Sequence, residues 1–158
     1  MNPKHSHFVE IAAKISLEKM RDGEGGPFGA IIVRDDQIIG QGWNQVTSKF
    51  DPTAHAEISA IRNACKNINS YTLENSVIYT SCEPCPMCLS AIWWARITKI
   101  YYANSRDDAA RAGFDDAEIY QEICRDLADR YIPISHCKNE LAATAMEAWM
   151  NKIDKIPY

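Results

Sequence analysis

The chain has 158 residues, 46% of them hydrophobic and 24% charged, with 17 basic and 21 acidic side chains for a formal net charge of -4. That length and balance suit one soluble domain with a real core, and without a Lys/Arg cluster they argue against a dedicated nucleic-acid binder. No stretch approaches the roughly 18 apolar residues that span a bilayer, and the run Met1–His7 lacks the apolar centre of a secretion signal. A cytoplasmic location is therefore expected, where the six cysteines stay reduced.

Phe8, Ile11, Ala12 and Ile15 fall at helical spacing and predict an amphipathic helix running to about Met20. Asp22 to Pro27 is too rich in glycine to be anything but a loop. Ala30–Val33 and Ile38–Gly42 read as two strands joined by the polar turn Arg34–Gln37. Trp43 to Pro52 reads as irregular. A helix follows from about Thr53, with Ile58, Ile61, Cys65 and Ile68 as its buried stripe. Val77–Tyr79 predicts a buried strand, Leu89–Ala95 a helix core and Ile97–Ala103 a further strand. The segment 81–96 between those strands suits a crossover helix, so the strands should pair in parallel. Ile119, Tyr120, Ile123, Cys124 and Leu127 mark another helix, and Ala142, Ala145, Met146, Trp149 and Ile153 a last one. Trp93, Trp94 and Trp149 read as core or subunit contacts. These elements predict an α/β fold: a single domain over 1–158, a three-layer αβα sandwich with a mixed central sheet and helices on both faces.

The chemistry concentrates in two short stretches. Cys85 and Cys88 lie three apart where a helix should begin, with Pro86 placed for a helix start. A helix N-terminus favours thiolates, the form in which cysteine binds metal. His55 in His55-Ala56-Glu57 is the partner that such a site lacks. Three protein ligands leave a fourth position for water, whose pKa a zinc ion lowers towards neutrality. Glu57 lies two residues from His55, about 200° round a helix, so it serves better as a proton acceptor beside the metal than as a ligand. Cys82 offers a second arrangement, because a third sulfur would close a Cys₃His structural site with no room for water. An iron–sulfur run would need a cysteine where the chain has Ile92.

His55-Ala56-Glu57 followed by Pro84-Cys85-Pro86-Met87-Cys88 resembles the signature of the cytidine-deaminase superfamily of zinc deaminases. Gly25-Gly26-Pro27-Phe28-Gly29-Ala30, Asp51 to Glu57 and Ala112-Gly113-Phe114-Asp115-Asp116 together resemble the bacterial guanine deaminases, over roughly residues 8–130 and again at Tyr158. The resemblance implies one Zn²⁺ per chain on His55, Cys85 and Cys88, and hydrolytic conversion of guanine to xanthine and ammonia. It implies Glu57 as the proton shuttle and Asp116 as a catalytic acid that also contacts the amino group of the base. Asn44 would bond the base through both donor and acceptor, Phe28 would pack on the ring, and the Ala56 backbone would meet the substrate edge. Tyr158 would help close the pocket. The implied partners are a small purine base and water, with no nucleic acid or membrane, in a homodimer. The tail Lys155–Tyr158 would cap an active site, its own or, by tail exchange, its neighbour's.

Plainer readings stand beside these. Asn44 suits a turn, Asp115 and Asp116 suit a helix N-cap, Phe28 suits the core, and Tyr158 is a chain end. Guanosine, cytosine and tRNA adenosine are the alternative substrates. A zinc-stabilised binding module is the alternative without catalysis, and it would have no use for Glu57.

Overall fold

A computed structural model of the protein describes residues 2–114 and 116–157. Helix α1 spans Pro3–Arg21; it begins before Phe8 because the Asn2 side chain accepts from the Lys4 N–H at 3.0 Å. Pro3 in the first helical position gives up no helical hydrogen bond. Strands β1 (Gly29–Arg34) and β2 (Gln37–Trp43) form the expected hairpin, and a single turn, α2 (Val46–Lys49), follows within the stretch that reads as irregular. Phe50 closes that turn in the left-handed conformation, φ 52° and ψ 36°, with its ring 95% exposed. Helix α3 (Ala56–Asn67), strand β3 (Val77–Cys82), helix α4 (Pro86–Trp94) and strand β4 (Lys99–Asn104) come next, then helices α5 (Arg106–Arg111), α6 (Ala117–Cys124) and α7 (Glu140–Asn151).

The four strands form one sheet in the order β2-β1-β3-β4. Strand β1 runs antiparallel to both neighbours, and β3 pairs in parallel with β4 from Val77↔Lys99 to Cys82↔Asn104. The sheet is therefore mixed, as the 81–96 crossover predicts. Successive side chains on a strand point to opposite faces, and both faces are covered. Ile31, Val33 and Tyr79 pack with Phe8 of α1. Ala30, Ile32 and Ile78 pack on the other side with Ala56, Ala60 and Ala64 of α3 and Ile92 of α4. His5 joins the first face, its Nδ1 2.8 Å from the Tyr79 hydroxyl and its ring stacked on Tyr101 at 4.1 Å.

The buried face of α3 differs from the predicted stripe. Ala56, Ala60 and Ala64 are its fully buried apolar residues, while Ile58, Ile61, Cys65 and Ile68 are half-buried. The cause is close approach to β2. A Cβ on Gly42 would lie 2.4 Å from both the Ala56 carbonyl oxygen and the Ala60 nitrogen, so only small residues fit between helix and strand. Overpacking such a contact costs about 1–3 kcal/mol. Trp93 and Trp94 are not core: they are 74% and 61% exposed. Helix α5 has no apolar periodicity, and its sequence signal is a capping box in which Ser105 and Asp108 bond each other's backbone N–H.

By its contacts the chain divides into two compact units, Met1–Ile119 and Tyr120–Tyr158. In the second, a 3₁₀ turn spans Leu127–Asp129, the Glu122 carboxylate accepts from the Tyr131 and Ile132 N–H groups at 3.1 Å, and Asn139 caps α7. Helices α6 and α7 lie where the periodicity predicts them, but Leu127 and Ile153 fall beyond their ends, and Ile123, Leu127, Leu141, Met146, Trp149, Met150 and Ile153 are exposed. Among the described residues no helix is long and apolar enough to cross a membrane.

Candidate active site

The sheet registers bring one end of every strand to the same edge. Gly29 stands opposite Trp43, Ala30 opposite Thr80 and Cys82 opposite Asn104. Phe28, Asn44, Glu83 and Ser105 therefore share the edge at the C-terminal end of the parallel pair, where α/β sheets bind ligands. The loop before His55 is fixed by Asp51, whose carboxylate accepts from the Thr53 N–H at 2.8 Å and hydroxyl at 2.7 Å. His55 and Cys85 are the N-cap residues of α3 and α4, and neither side chain makes a capping hydrogen bond.

Those two caps and Cys88 converge. The ligating atoms of His55, Cys85 and Cys88 lie within 4.8 Å of one another. His55 Nδ1 is 3.6 Å from Cys85 Sγ and 3.5 Å from Cys88 Sγ. A tetrahedral zinc ion with sulfur at about 2.3 Å and nitrogen at about 2.0–2.1 Å sets such pairs about 3.6 Å apart. The donors fit zinc in kind and spacing. The hydrogen bond with Cys88, helped by His55 against burial, pulls the Cys85 thiol down to about 4. The bond to Cys85 raises His55, and the charges of Glu57 and Asp116 add to it against burial.

Cys82 stands apart from this cluster. Its thiol donates to the Ser105 carbonyl at 3.5 Å, and burial pushes it up to about 11, so it stays protonated. Among the described residues His55, Cys85 and Cys88 come together without the third sulfur that a closed Cys₃His site would need. Glu57, in the first turn of α3, is 7% exposed, and burial raises its carboxyl. The Cys88 thiol acts against that rise. A buried carboxyl beside metal ligands with a raised pKa is suited to hold and return a proton.

The cavity in front of the cluster has a volume of about 650 Å³, within the size range of small-molecule sites. Phe28 and Phe114 meet edge to face there, ring centroids 4.9 Å apart. Asp116 lines the same cavity close enough to raise His55. Asn44 is buried, and its Oδ1 accepts from the Gly26 N–H at 3.1 Å and the Val46 N–H at 3.3 Å. Both lone pairs are then occupied, so Asn44 offers a ligand its N–H₂ donors and not the acceptor that the sequence reading assigned to it. Gly25 permits this fit, since a Cβ there would stand 2.7 Å from Oδ1.

Of the other expected residues, Ala56 does not line the cavity, and its side chain is buried in the core. Asp115 and Tyr158 lie outside the described residues. Sequence reading assigned no role to Phe114, Glu83 or Arg106, which all line the cavity. The signal for Phe114 was an aromatic beside a glycine in a polar run. Glu83 and Arg106 carried none, because their pairing depends on the β3–β4 register.

The cytidine and deoxycytidylate deaminase zinc-binding region, as a family, matches residues 2–104. The chain belongs to this family. It is 47% identical to the guanine deaminase of Bacillus subtilis over 154 residues, covering 98% of this chain and 99% of that protein. The X-ray structure of that guanine deaminase matches with a TM-score of 0.95 at 47% identity, over 100% of this chain and 99% of the other. The tRNA-specific adenosine deaminase of Haemophilus influenzae is 50% identical over 104 residues, 63% of this chain and 60% of that protein. A guanine deaminase from Nitrosomonas europaea matches with a TM-score of 0.66 at 26% identity, over 72% of this chain and 65% of that one. Within this zinc-binding family, His55, Cys85 and Cys88 are the one group of three among the described residues that could hold the ion.

Proposed function

We propose that the protein is a zinc-dependent aminohydrolase, acting as one deaminase domain in the cytoplasm, that converts guanine and water to xanthine and ammonia. The observation that carries this reading is likeness to a guanine deaminase through 98% of the chain, beyond the 104 residues shared with the tRNA deaminase. Phe114 and Asp116 line the wall of the cavity in front of the metal cluster.

Zinc held by His55, Cys85 and Cys88 would supply a Lewis acid that lowers the pKa of a bound water. Phe28 and Phe114 bind the purine ring by face and edge, which orients the carbon bearing the amino group, C2, towards the cluster. Asn44 donates to an acceptor on the base. Glu57 takes one proton from the attacking water and passes it to the ring nitrogen, then takes the second from the hydroxyl now on C2 and gives it to the departing amine as the carbonyl forms. Asp116 accepts from the C2 amino group and assists its departure as ammonia. The half-open cavity takes a free base, and the net charge of -4 disfavours a tRNA.

Leu89, Trp93 and Trp94 of α4 are exposed, and this apolar face supports a homodimer, since exposed apolar patches mark association sites. The tail with Tyr158 would cap an active site, its own or, by exchange, the neighbour's. Mixing a chain lacking 155–158 with a full-length Glu57→Gln chain should restore activity if the tail crosses over. The function itself is tested by ammonia release from guanine, guanosine, cytosine, adenine and a tRNA anticodon stem–loop. Guanine should be the preferred substrate by kcat/KM; turnover confined to any other member of the panel overturns the assignment.

A further inference from the structure

We propose that Glu83 and Arg106 are a positioning pair that holds the metal ligand Cys85 and the Phe114 wall of the cavity in one arrangement. The proposal rests on zinc binding by His55, Cys85 and Cys88, and it assigns the pair a part in both metal retention and turnover.

The Glu83 carboxylate is gripped by one residue from three directions. Oε2 accepts from the Arg106 backbone N–H at 3.1 Å, while Oε1 accepts from Arg106 Nε at 3.1 Å and Nη2 at 2.5 Å. The backbone adds to the same seam: the Glu83 N–H donates to the Asn104 carbonyl at 2.8 Å, and Cys82 Sγ donates to the Ser105 carbonyl at 3.5 Å. Residues 82–83, at the end of β3, are thus stitched to 104–106, at the end of β4. Only Pro84 separates Glu83 from Cys85, and its ring fixes φ. A displacement of Glu83 therefore reaches Cys85 Sγ with little slack.

The other end of the seam leads to the cavity wall. Arg106 opens α5, whose start is set by the capping box of Ser105 and Asp108. The Phe114 N–H donates back to the Ala109 carbonyl of that helix at 2.9 Å, so the ring hangs from α5. Glu83 and Arg106 themselves line the cavity. With side chains 18% and 44% exposed, a simple ion pair here would add little to stability. Its geometry suits orientation instead: a planar fork and a backbone N–H on one carboxylate define both position and angle.

The test uses the full-length, zinc-loaded protein and the variants Glu83→Gln, Arg106→Lys and Glu83→Gln with Arg106→Gln. Zinc release to a chromogenic chelator, kcat and KM for guanine, and the melting temperature are measured on each. Losing an outer partner of a metal site commonly costs about 10–100-fold in affinity or activity. Glu83→Gln should accordingly release zinc about tenfold faster and lose about tenfold in kcat. Arg106→Lys keeps the charge and the backbone N–H but loses the fork, and should fall between the parent and Glu83→Gln in both. The double variant should be no worse than Glu83→Gln, because coupled residues are not additive. Zinc release and kcat of Glu83→Gln both within about twofold of the parent, whatever the melting temperature, would overturn the proposal. If Glu83→Gln does not fold, Arg106→Gln alone is held to the same criterion. Zinc release needs no turnover, so faster release from a protein inert on guanine would sink the substrate assignment and leave the positioning pair standing.

Discussion

The floor of the cavity and its outer wall meet around one substrate but are built differently. His55, Cys85 and Cys88 stand on the first turns of two helices that pack on the sheet, and Cys88 and Glu57 are buried. Phe114 and Asp116 stand between two short helices, and Phe114 is 43% exposed. The floor must hold three donors to within a few tenths of an ångström, because a metal fixes its own distances. The wall must only present an edge and a carboxylate. The metal-binding group thus rests on the part packed against the sheet, and the wall can change without disturbing it.

Breaking the floor should have the largest effect. Cys85→Ala should lose zinc and reduce ammonia release to background, and metal content measured with the rate decides this; a variant that keeps a full equivalent of zinc and its activity would remove Cys85 from the ligand set. Next in size is Glu57→Gln, expected to cost about 10²–10⁴ in kcat with zinc content and melting temperature unchanged. Activity within a few-fold of the parent would mean that the proton is carried elsewhere.

At the wall, Asp116→Asn should keep zinc and the fold but weaken guanine turnover by about 1–3 kcal/mol, or roughly 5–150-fold in kcat/KM, because a donor replaces an acceptor facing the amino group. If Asp116 merely caps α6, asparagine substitutes well and guanine kinetics stay as they were.

The same contrast governs what could be read from the chain. His55, Glu57, Cys85 and Cys88 were legible because metal chemistry demands particular residue types at short spacing. The pairing of β3 with β4 was legible from the length of the crossover. The buried face of α3 was not: hydrophobicity ranks Ile58 and Ile61 above Ala56 and Ala60, while glycines on β2 reserve the close contact for the alanines. Asn44 announced a polar contact but not its direction, which the Gly26 and Val46 N–H groups settle. Glu83 and Arg106 became partners only through strand register.

The smallest effect sharpens the comparison from outside both regions. Phe50 takes a left-handed backbone with its ring in solvent, a conformation that costs a residue bearing Cβ about 1–2 kcal/mol and that asparagine enters more readily. Phe50→Asn should stabilise the protein by up to about 1 kcal/mol in denaturant unfolding, with kinetics unaltered. A loss of stability would show that the exposed ring has a packing partner.

One consequence of the two N-caps concerns how the enzyme is made. His55 and Cys85 are 30 positions apart, and β3 must add to β1 before they can meet. During synthesis the histidine leaves the ribosome first and waits. Three donors exist together only once residue 88 has emerged and the sheet has closed behind it. Zinc affinity and sheet pairing are then coupled, because the β1–β3 ladder is what brings the donors together. Chelating zinc should therefore lower the melting temperature as well as the rate.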